Sequence, residues 1–175
     1  TWNSLLENPK RPLLNRALNG QYSPASTFKM VVGFAALAEN VTTTDFTVNC
    51  TGRIRLGNRF FHCWKKKGHG VVNLEQSIAS SCDIYFYEMG KLLGIDTIAK
   101  YAKIFGLGES VNFELFNVKG IMPTRLWKRL RTKTKWQKGE DLIAAIGQGY
   151  LLSTPLLMAI MAARLGSGKK VIPTI

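Results

Sequence analysis

The chain has 175 residues, 46% hydrophobic and 20% charged, enough for one domain with a buried core and too apolar for a disordered chain. The 24 Lys and Arg against 11 Asp and Glu leave a net charge of +13, which favours anionic partners or marks a solvated basic face. Three cysteines do not close a disulfide framework, and no apolar run reaches membrane-spanning length, because "YLLSTPLLMAIMAARLG" is broken by Ser153, Thr154, Pro155 and Arg164.

Residue 1 is Thr, as expected of a piece cut from a longer chain or of one that has lost an initiator Met. Residues 1–21, with Pro9, Pro12 and Gly20, read as an irregular lead-in. "STFKMVVGFAALAEN" predicts a helix from about Ser26 to Asn40, apolar in most turns and so buried on several sides. Thr42 to Asp45 mark a turn. "FTVNCTGRIRLGNRFFHCW" alternates and is rich in β-formers, with Gly57-Asn58 between its halves, which predicts a hairpin. After the loop "KKKGHG", "NLEQSIASSCDIYFYEMGKLLG" predicts one helix or two abutting around Ser80–Cys82, ending at Gly94. Tyr85, Phe86 and Tyr87 are expected in the core and cleft wall.

Asp96 is expected to cap a further helix, "TIAKYAKIFG". Residues 108–123, with Gly120 and Pro123, read as loop. "TRLWKRLRTKTKWQKGED" is a basic region flanked by Trp127 and Trp136. A short helix follows, then a break at Gly147-Gln148-Gly149, then a helix capped by Thr154 with Pro155 in its first turn. The expected class is mainly α with a small β-hairpin.

"YSPASTFKMVVGF" places Ser26 three residues before Lys29, one helical turn apart on one face. A serine hydroxyl attacks an acyl group only when a base takes its proton. A lysine can be that base if an apolar surrounding disfavours its charged form, and Phe28, Met30, Val31 and Val32 offer one. The helix N-terminus adds free N–H groups for developing negative charge. Spacing alone is weak: "SGKK" at 167–170 matches too, in a polar loop with nothing to desolvate its lysine, and a plain N-cap serine beside a solvated lysine reads equally well.

The order of "RPLLNRALNGQYSPASTFKMV", "HCWKKKGHGVVNLEQSIASSCDIYFYEMG", "GIMPTRLWKR" and "AAIGQGYLLSTPL" decides between these readings. It resembles the penicillin-binding transpeptidases, in particular the class B, elongation-type subgroup of penicillin-binding protein 2. The resemblance implies that Ser26 is the acyl-accepting nucleophile, Lys29 its base, and Ser81 and Asp83 the family's Ser-x-Asn/Asp motif. Ser81 would shuttle a proton, and Asp83 would orient Lys29 and Ser81 while also opposing loss of the lysine's proton. It further implies a peptidoglycan stem peptide ending in D-Ala-D-Ala as substrate and β-lactams as covalent inhibitors. A membrane glycosyltransferase and cell-elongation proteins would be partners through regions outside these residues, with no nucleic acid. The location would be the periplasmic face of the bacterial inner membrane. Catalysis would need no cofactor.

The family's third motif, Lys-Thr/Ser-Gly on a strand, does not occur: "TKTK" at 132–135 has Lys135 where Gly is required. Residues 1–175 are therefore expected to be a partial transpeptidase domain, truncated at both ends. This would be the helical part of the α/β serine-transpeptidase fold with its central sheet largely missing, and with little activity alone. A β-lactam sensor or hydrolase of the same fold remains an alternative, as does a basic nucleic-acid-binding domain. Neither a general-base Glu beside a motif nor a nucleic-acid signature supports them.

Cys50, Cys63, His69 and Cys82 form C-x12-C-x5-H-x12-C, a donor set suited to tetrahedral zinc though not a standard finger spacing. On a strand through 59–63, His62 would point away from Cys63, whereas His69 in a Gly-flanked loop can turn inward. A Cys50–Cys63 disulfide and three buried thiols are the other two readings. The resemblance permits zinc without requiring it, since some relatives have a metal site here built partly from Asp.

Overall fold

The computed structural model describes residues 1–113 and 116–173. The element order is α1 (Trp2–Leu6), α2 (Arg16–Asn19), a 3-10 turn (Ala25–Phe28) leading into α3 (Lys29–Ala38), then β1 (Val48–Cys50), β2 (Arg53–Leu56), β3 (Arg59–His62) and β4 (Gly70–Val72). There follow α4 (Leu74–Ala79), α5 (Asp83–Ile104), β5 (Ser110–Phe113), β6 (Phe116–Lys119), α6 (Arg125–Thr132), α7 (Lys138–Ala145) and α8 (Pro155–Ser167). Helix starts follow the side chains able to satisfy free N–H groups: Asn73 accepts Gln76 N–H, Thr124 accepts Trp127 N–H and Thr154 accepts Leu157 N–H.

The helix α5 is the core. Its first half lies against α3 and α7, burying Ile84, Tyr85, Phe86, Tyr87 and Met89 together with Phe28, Val31, Val32, Ala35, Leu142 and Ala145. The expected interruption at Gly94 is present as a kink (φ 69°, ψ 161°). The α3 helix is less enclosed than its composition predicts: Met30, Phe34 and Leu37, spaced one turn apart, form an exposed stripe.

The strands form three separate antiparallel pairs, β1 with β4, β2 with β3 and β5 with β6; among the described residues there is no larger sheet. The mainly helical expectation holds, and the hairpin at Gly57-Asn58 is there, with Leu56 opposite Arg59. The hairpin is shorter than the alternation over 46–64 predicts, because β1 leaves it to pair with β4, Cys50 opposite Gly70. Two glycines cause this. A Cβ on Gly52 (φ +90°) would lie 2.1 Å from the Lys66 carbonyl oxygen, and one on Gly68 (φ +78°) 2.0 Å from that of Cys50. The two backbones touch only because neither residue has a side chain. Residues 108–123 are likewise not plain loop: Ser110 pairs with Lys119 and Val111 with Val118, and Val118 is buried.

Asp96 does not cap its own helix. Its carboxylate accepts the Arg125 N–H (3.0 Å) and faces the Arg125 guanidinium. The N–H of Ile95 goes instead to Asp141 Oδ1 (2.8 Å), which also accepts the Trp136 indole N–H (2.9 Å). Burial raises the Asp141 carboxyl above the usual carboxylate range, and these two hydrogen bonds only partly offset it. The folded state therefore holds this proton more tightly than the unfolded one. Stability contributed by the group is present below the ordinary Asp value of about 4 and is lost as pH rises through the raised value. Asp141→Asn keeps an acceptor for both donors and has nothing to ionise. It is expected to flatten the dependence of the urea midpoint on pH above about 4 relative to the parent chain; parallel curves for the two proteins would refute the assignment.

Candidate active site

Ser26 sits in the 3-10 turn and is exposed, whereas Lys29, at the start of α3, is only 1% exposed. The turn is set by Ala25, which has positive φ (49°) and donates its N–H to the Gly147 carbonyl (2.9 Å). The two sequence-predicted residues meet, but through an intermediary. The lysine ammonium donates to Ser81 Oγ (3.0 Å), to the Ser81 carbonyl (2.9 Å) and to Asp83 Oδ1 (2.6 Å), and Ser81 Oγ donates to Ser26 Oγ (2.7 Å). All three ammonium hydrogens are thereby placed. The Phe86 ring centroid is 5.7 Å from the same nitrogen. The arrangement links an exposed hydroxyl to a buried amine by two hydrogen bonds, a path along which a proton can move.

The Ser80–Asp83 turn connects α4 to α5. Ser81 has φ 52°, a conformation that costs a non-glycine residue about 1–3 kcal/mol. Cys82 donates its N–H to the Ser77 carbonyl (2.9 Å), and Asp83 Oδ2 accepts the main-chain N–H of Trp64 (2.9 Å). Two supports of this site carry no signal of their role in the sequence: Gly147 reads only as part of a break, and Trp64 stands beside Cys63 with nothing local to mark its partners.

Cys50, Cys63, His69 and Cys82 are also brought together, their donor atoms all within 4.8 Å of one another. The cysteines are free thiols, so no Cys50–Cys63 disulfide is present. His69 Nδ1 lies 3.6 Å from Cys50 Sγ and 3.5 Å from Cys63 Sγ. Zn–S and Zn–N bonds of about 2.3 and 2.05 Å put adjacent sulfur and nitrogen ligands of a tetrahedron roughly 3.5 Å apart, so the donor set fits zinc in chemistry and in size. Burial pushes the Cys82 thiol up to about 12, with the Cys50 and Cys63 thiols adding to the rise. Burial likewise lowers His69, which favours the neutral imidazole a metal needs. His62 is exposed, offering only its carbonyl, which accepts the Tyr87 hydroxyl.

The basic segment is not one continuous charged face. Lys128 is buried, donating to both carboxylate oxygens of Glu140 and to the Lys135 carbonyl. "TKTK" closes α6, with Lys133 in the left-handed conformation, and is not a strand.

The sequence profile of the family described as Penicillin binding protein transpeptidase domain matches residues 3–175. The chain is 38% identical over 161 residues to the peptidoglycan D,D-transpeptidase MrdA of Escherichia coli (strain K12), covering 90% of this chain and 25% of that protein. It thus spans about a quarter of the length of the curated relatives it matches. Among solved structures it resembles penicillin-binding protein 2 from Helicobacter pylori, both alone and in complex with MreC. The first matches with TM-score 0.94 and 37% identity, covering 98% of this chain and 33% of that one. The second matches with TM-score 0.86 and 39% identity, covering 90% and 30%. It also resembles penicillin-binding protein A from M. tuberculosis in a penicillin G acyl-enzyme complex (TM-score 0.83, 26% identity, 95% of this chain and 37% of that one). A profile match over nearly every residue, with the same helices in space, means that this chain belongs to the penicillin-binding protein transpeptidase family.

Proposed function

We propose that this chain carries the acyl-serine centre of a peptidoglycan D,D-transpeptidase. The observation that carries the reading is the hydrogen-bonded path from exposed Ser26 through Ser81 to buried Lys29. For Lys29 to act as base, its ammonium first gives one proton to water, which frees Nζ to accept the proton arriving through Ser81. Ser26 Oγ attacks the carbonyl of the penultimate D-Ala while its proton passes to Ser81 Oγ and the Ser81 proton passes to Lys29 Nζ. The main-chain N–H of Ser26 supplies one oxyanion donor. Collapse expels the terminal D-Ala, whose nitrogen takes a proton back along the path, and leaves an ester on Ser26. An amine from a neighbouring stem then attacks the ester, forms the crosslink amide and returns the Ser26 hydroxyl. Asp83 fixes the lysine and balances the charge it gains. With a β-lactam the ring amide opens without losing a leaving group, so the ester persists.

Fluorescent penicillin given to the full-length protein is expected to label the peptide containing Ser26, and Ser26→Ala to remove the label. An intact protein left unlabelled at saturating penicillin would overturn the reading. The 175-residue chain alone is expected to label weakly, since no Lys-Thr/Ser-Gly triplet occurs in it. Deacylation separates the hydrolase alternative: a hydrolase of this fold would clear the label within minutes. The proposed setting is the periplasmic face of the inner membrane, with a glycosyltransferase and elongation proteins as partners. The H. pylori relative in complex with MreC supports the last of these.

The same proposal assigns Cys50, Cys63, His69 and Cys82 as ligands of one Zn2+. A bound ion would supply cross-linking and no chemistry, because four protein ligands leave no open position. It would join β1 and residue 63 to the turn that carries Ser81. Protein purified without chelator is expected to hold about one zinc per chain, and Cys82→Ser to lower both metal content and Tm. Less than half an equivalent in the parent protein would count against it.

A further inference from the structure

We infer that Trp64 is a positioning residue for acyl transfer: its N–H groups hold the Ser80–Asp83 turn so that Ser81 Oγ stands between Lys29 and Ser26. This rests on the acyl-serine reading above. The Trp64 indole N–H donates to the Ser80 carbonyl (3.1 Å) and the Ser81 carbonyl (3.0 Å), and its main-chain N–H donates to Asp83 Oδ2 (2.9 Å). One residue thus binds three of the four residues of the turn. It does so although the residue is 64% exposed, so apolar burial is not what seats it. An exposed indole whose N–H points inward contributes direction, and direction is what a turn in an unfavourable conformation needs.

Ser81, with φ 52°, is that conformation. A left-handed serine persists only where its surroundings over-determine it. Two donors converge on the Ser81 carbonyl, Lys29 Nζ from the α3 side and Trp64 Nε1 from the loop side. With the carbonyl fixed from both sides, the Ser81 side chain is aimed at Ser26. Asp83 is held in the same manner, one oxygen by Lys29 and the other by Trp64. The Trp64 ring also meets His69 edge-on at 5.3 Å, which limits its rotation. Without the indole N–H the carbonyls of Ser80 and Ser81 lose their outer donor, the turn can relax towards ordinary φ, and the 2.7 Å contact to Ser26 lengthens.

The test uses the full-length protein and separates the rate of acylation from the affinity of the initial complex, by stopped flow with a chromogenic cephalosporin. Trp64 is replaced by its benzothiophene analogue, which keeps the ring and lacks the N–H, and by 7-azatryptophan, which keeps the N–H. Trp64→Phe is the genetic counterpart. Loss of the N–H is expected to slow acylation about 10- to 100-fold, with initial affinity, Tm and metal content unchanged, while 7-azatryptophan acylates at the parent rate. Acylation by the benzothiophene protein within about twofold of the parent overturns the assignment, as does an equal loss in the 7-azatryptophan protein. If the parent is never acylated, the acyl-serine reading falls and this inference falls with it. If the parent acylates and the analogue does too, only the role of Trp64 is lost. Should Trp64→Phe disturb folding, the isosteric pair decides.

Discussion

Lys29→Met is expected to lower the acylation rate of the full-length protein by about 10³-fold, within the range general-base catalysis supplies, and to destabilise the fold as well. The ammonium and the Asp83 carboxylate lie 2.6 Å apart with side chains 2% and 13% exposed. Removing one partner strands the other, at a cost of about 3–5 kcal/mol for a buried pair. Stability and catalysis can be separated. The double variant Lys29→Met/Asp83→Asn has no unpaired charge, so its Tm should recover much of the loss, while its acylation should stay as slow as that of the single variant. Recovery of acylation in the double variant would show that Lys29 serves the fold and not the proton transfer. Asp83→Asn alone removes the charge and one hydrogen bond together, because Lys29 Nζ and the Trp64 N–H use different carboxylate oxygens and an amide keeps only one acceptor.

Gly147→Ala is the second large effect, and it reaches Ser26 from the far side. Gly147 has φ +70°, and a Cβ on it would stand 2.2 Å from the Ala25 carbonyl oxygen, 2.8 Å from the Ala25 nitrogen and 2.8 Å from Phe28 Cβ. The first two are backbone atoms of the turn that presents Ser26, so no flexible side chain can yield. A left-handed alanine and forced overpacking together cost about 2–4 kcal/mol, and relief can come only by moving residues 25–28. Gly149→Ala is the control. It has φ +79°, but its Cβ would meet only Ile143 Cγ2 at 3.2 Å. Urea unfolding and penicillin labelling of both variants should show a modest loss of stability for Gly149→Ala with labelling kept. For Gly147→Ala both should fall. Equal behaviour of the two would mean that the contact with Ala25 does not position Ser26.

These two residues differ in how visible they are before folding. Lys29 is legible because its relation to Ser26 is local: one helical turn, an apolar neighbourhood and a serine at the start of the helix. Gly147 is recognisable as a break, yet its partner is 122 positions earlier in the chain (147 − 25) and nothing near it names that partner. Asp96 and Asp141 make the same point. Asp96 has the position of an N-cap, but Arg125 takes its carboxylate, and Asp141 from α7 reaches the Ile95 N–H that opens the second half of α5. Residues 108–123 read as loop from Gly120 and Pro123, whereas in the fold 110–113 and 116–119 find each other as strands.

The residues by themselves determined the helix starts at Asn73 and Thr154, the turn at Gly57-Asn58, the interruption at Gly94 and the one-turn spacing of Ser26 and Lys29. Each depends on atoms within a few positions of one another, where geometry follows from the chain alone. Tertiary structure alone decided that Lys29 meets Ser26 through Ser81, that β1 abandons the hairpin for β4, and that Trp64 faces the Ser81 turn. Those contacts join groups far apart in sequence. A hydrogen-bonding side chain has many possible partners of equal chemistry, and only the packing of α5 against α3 and α7 leaves one within reach.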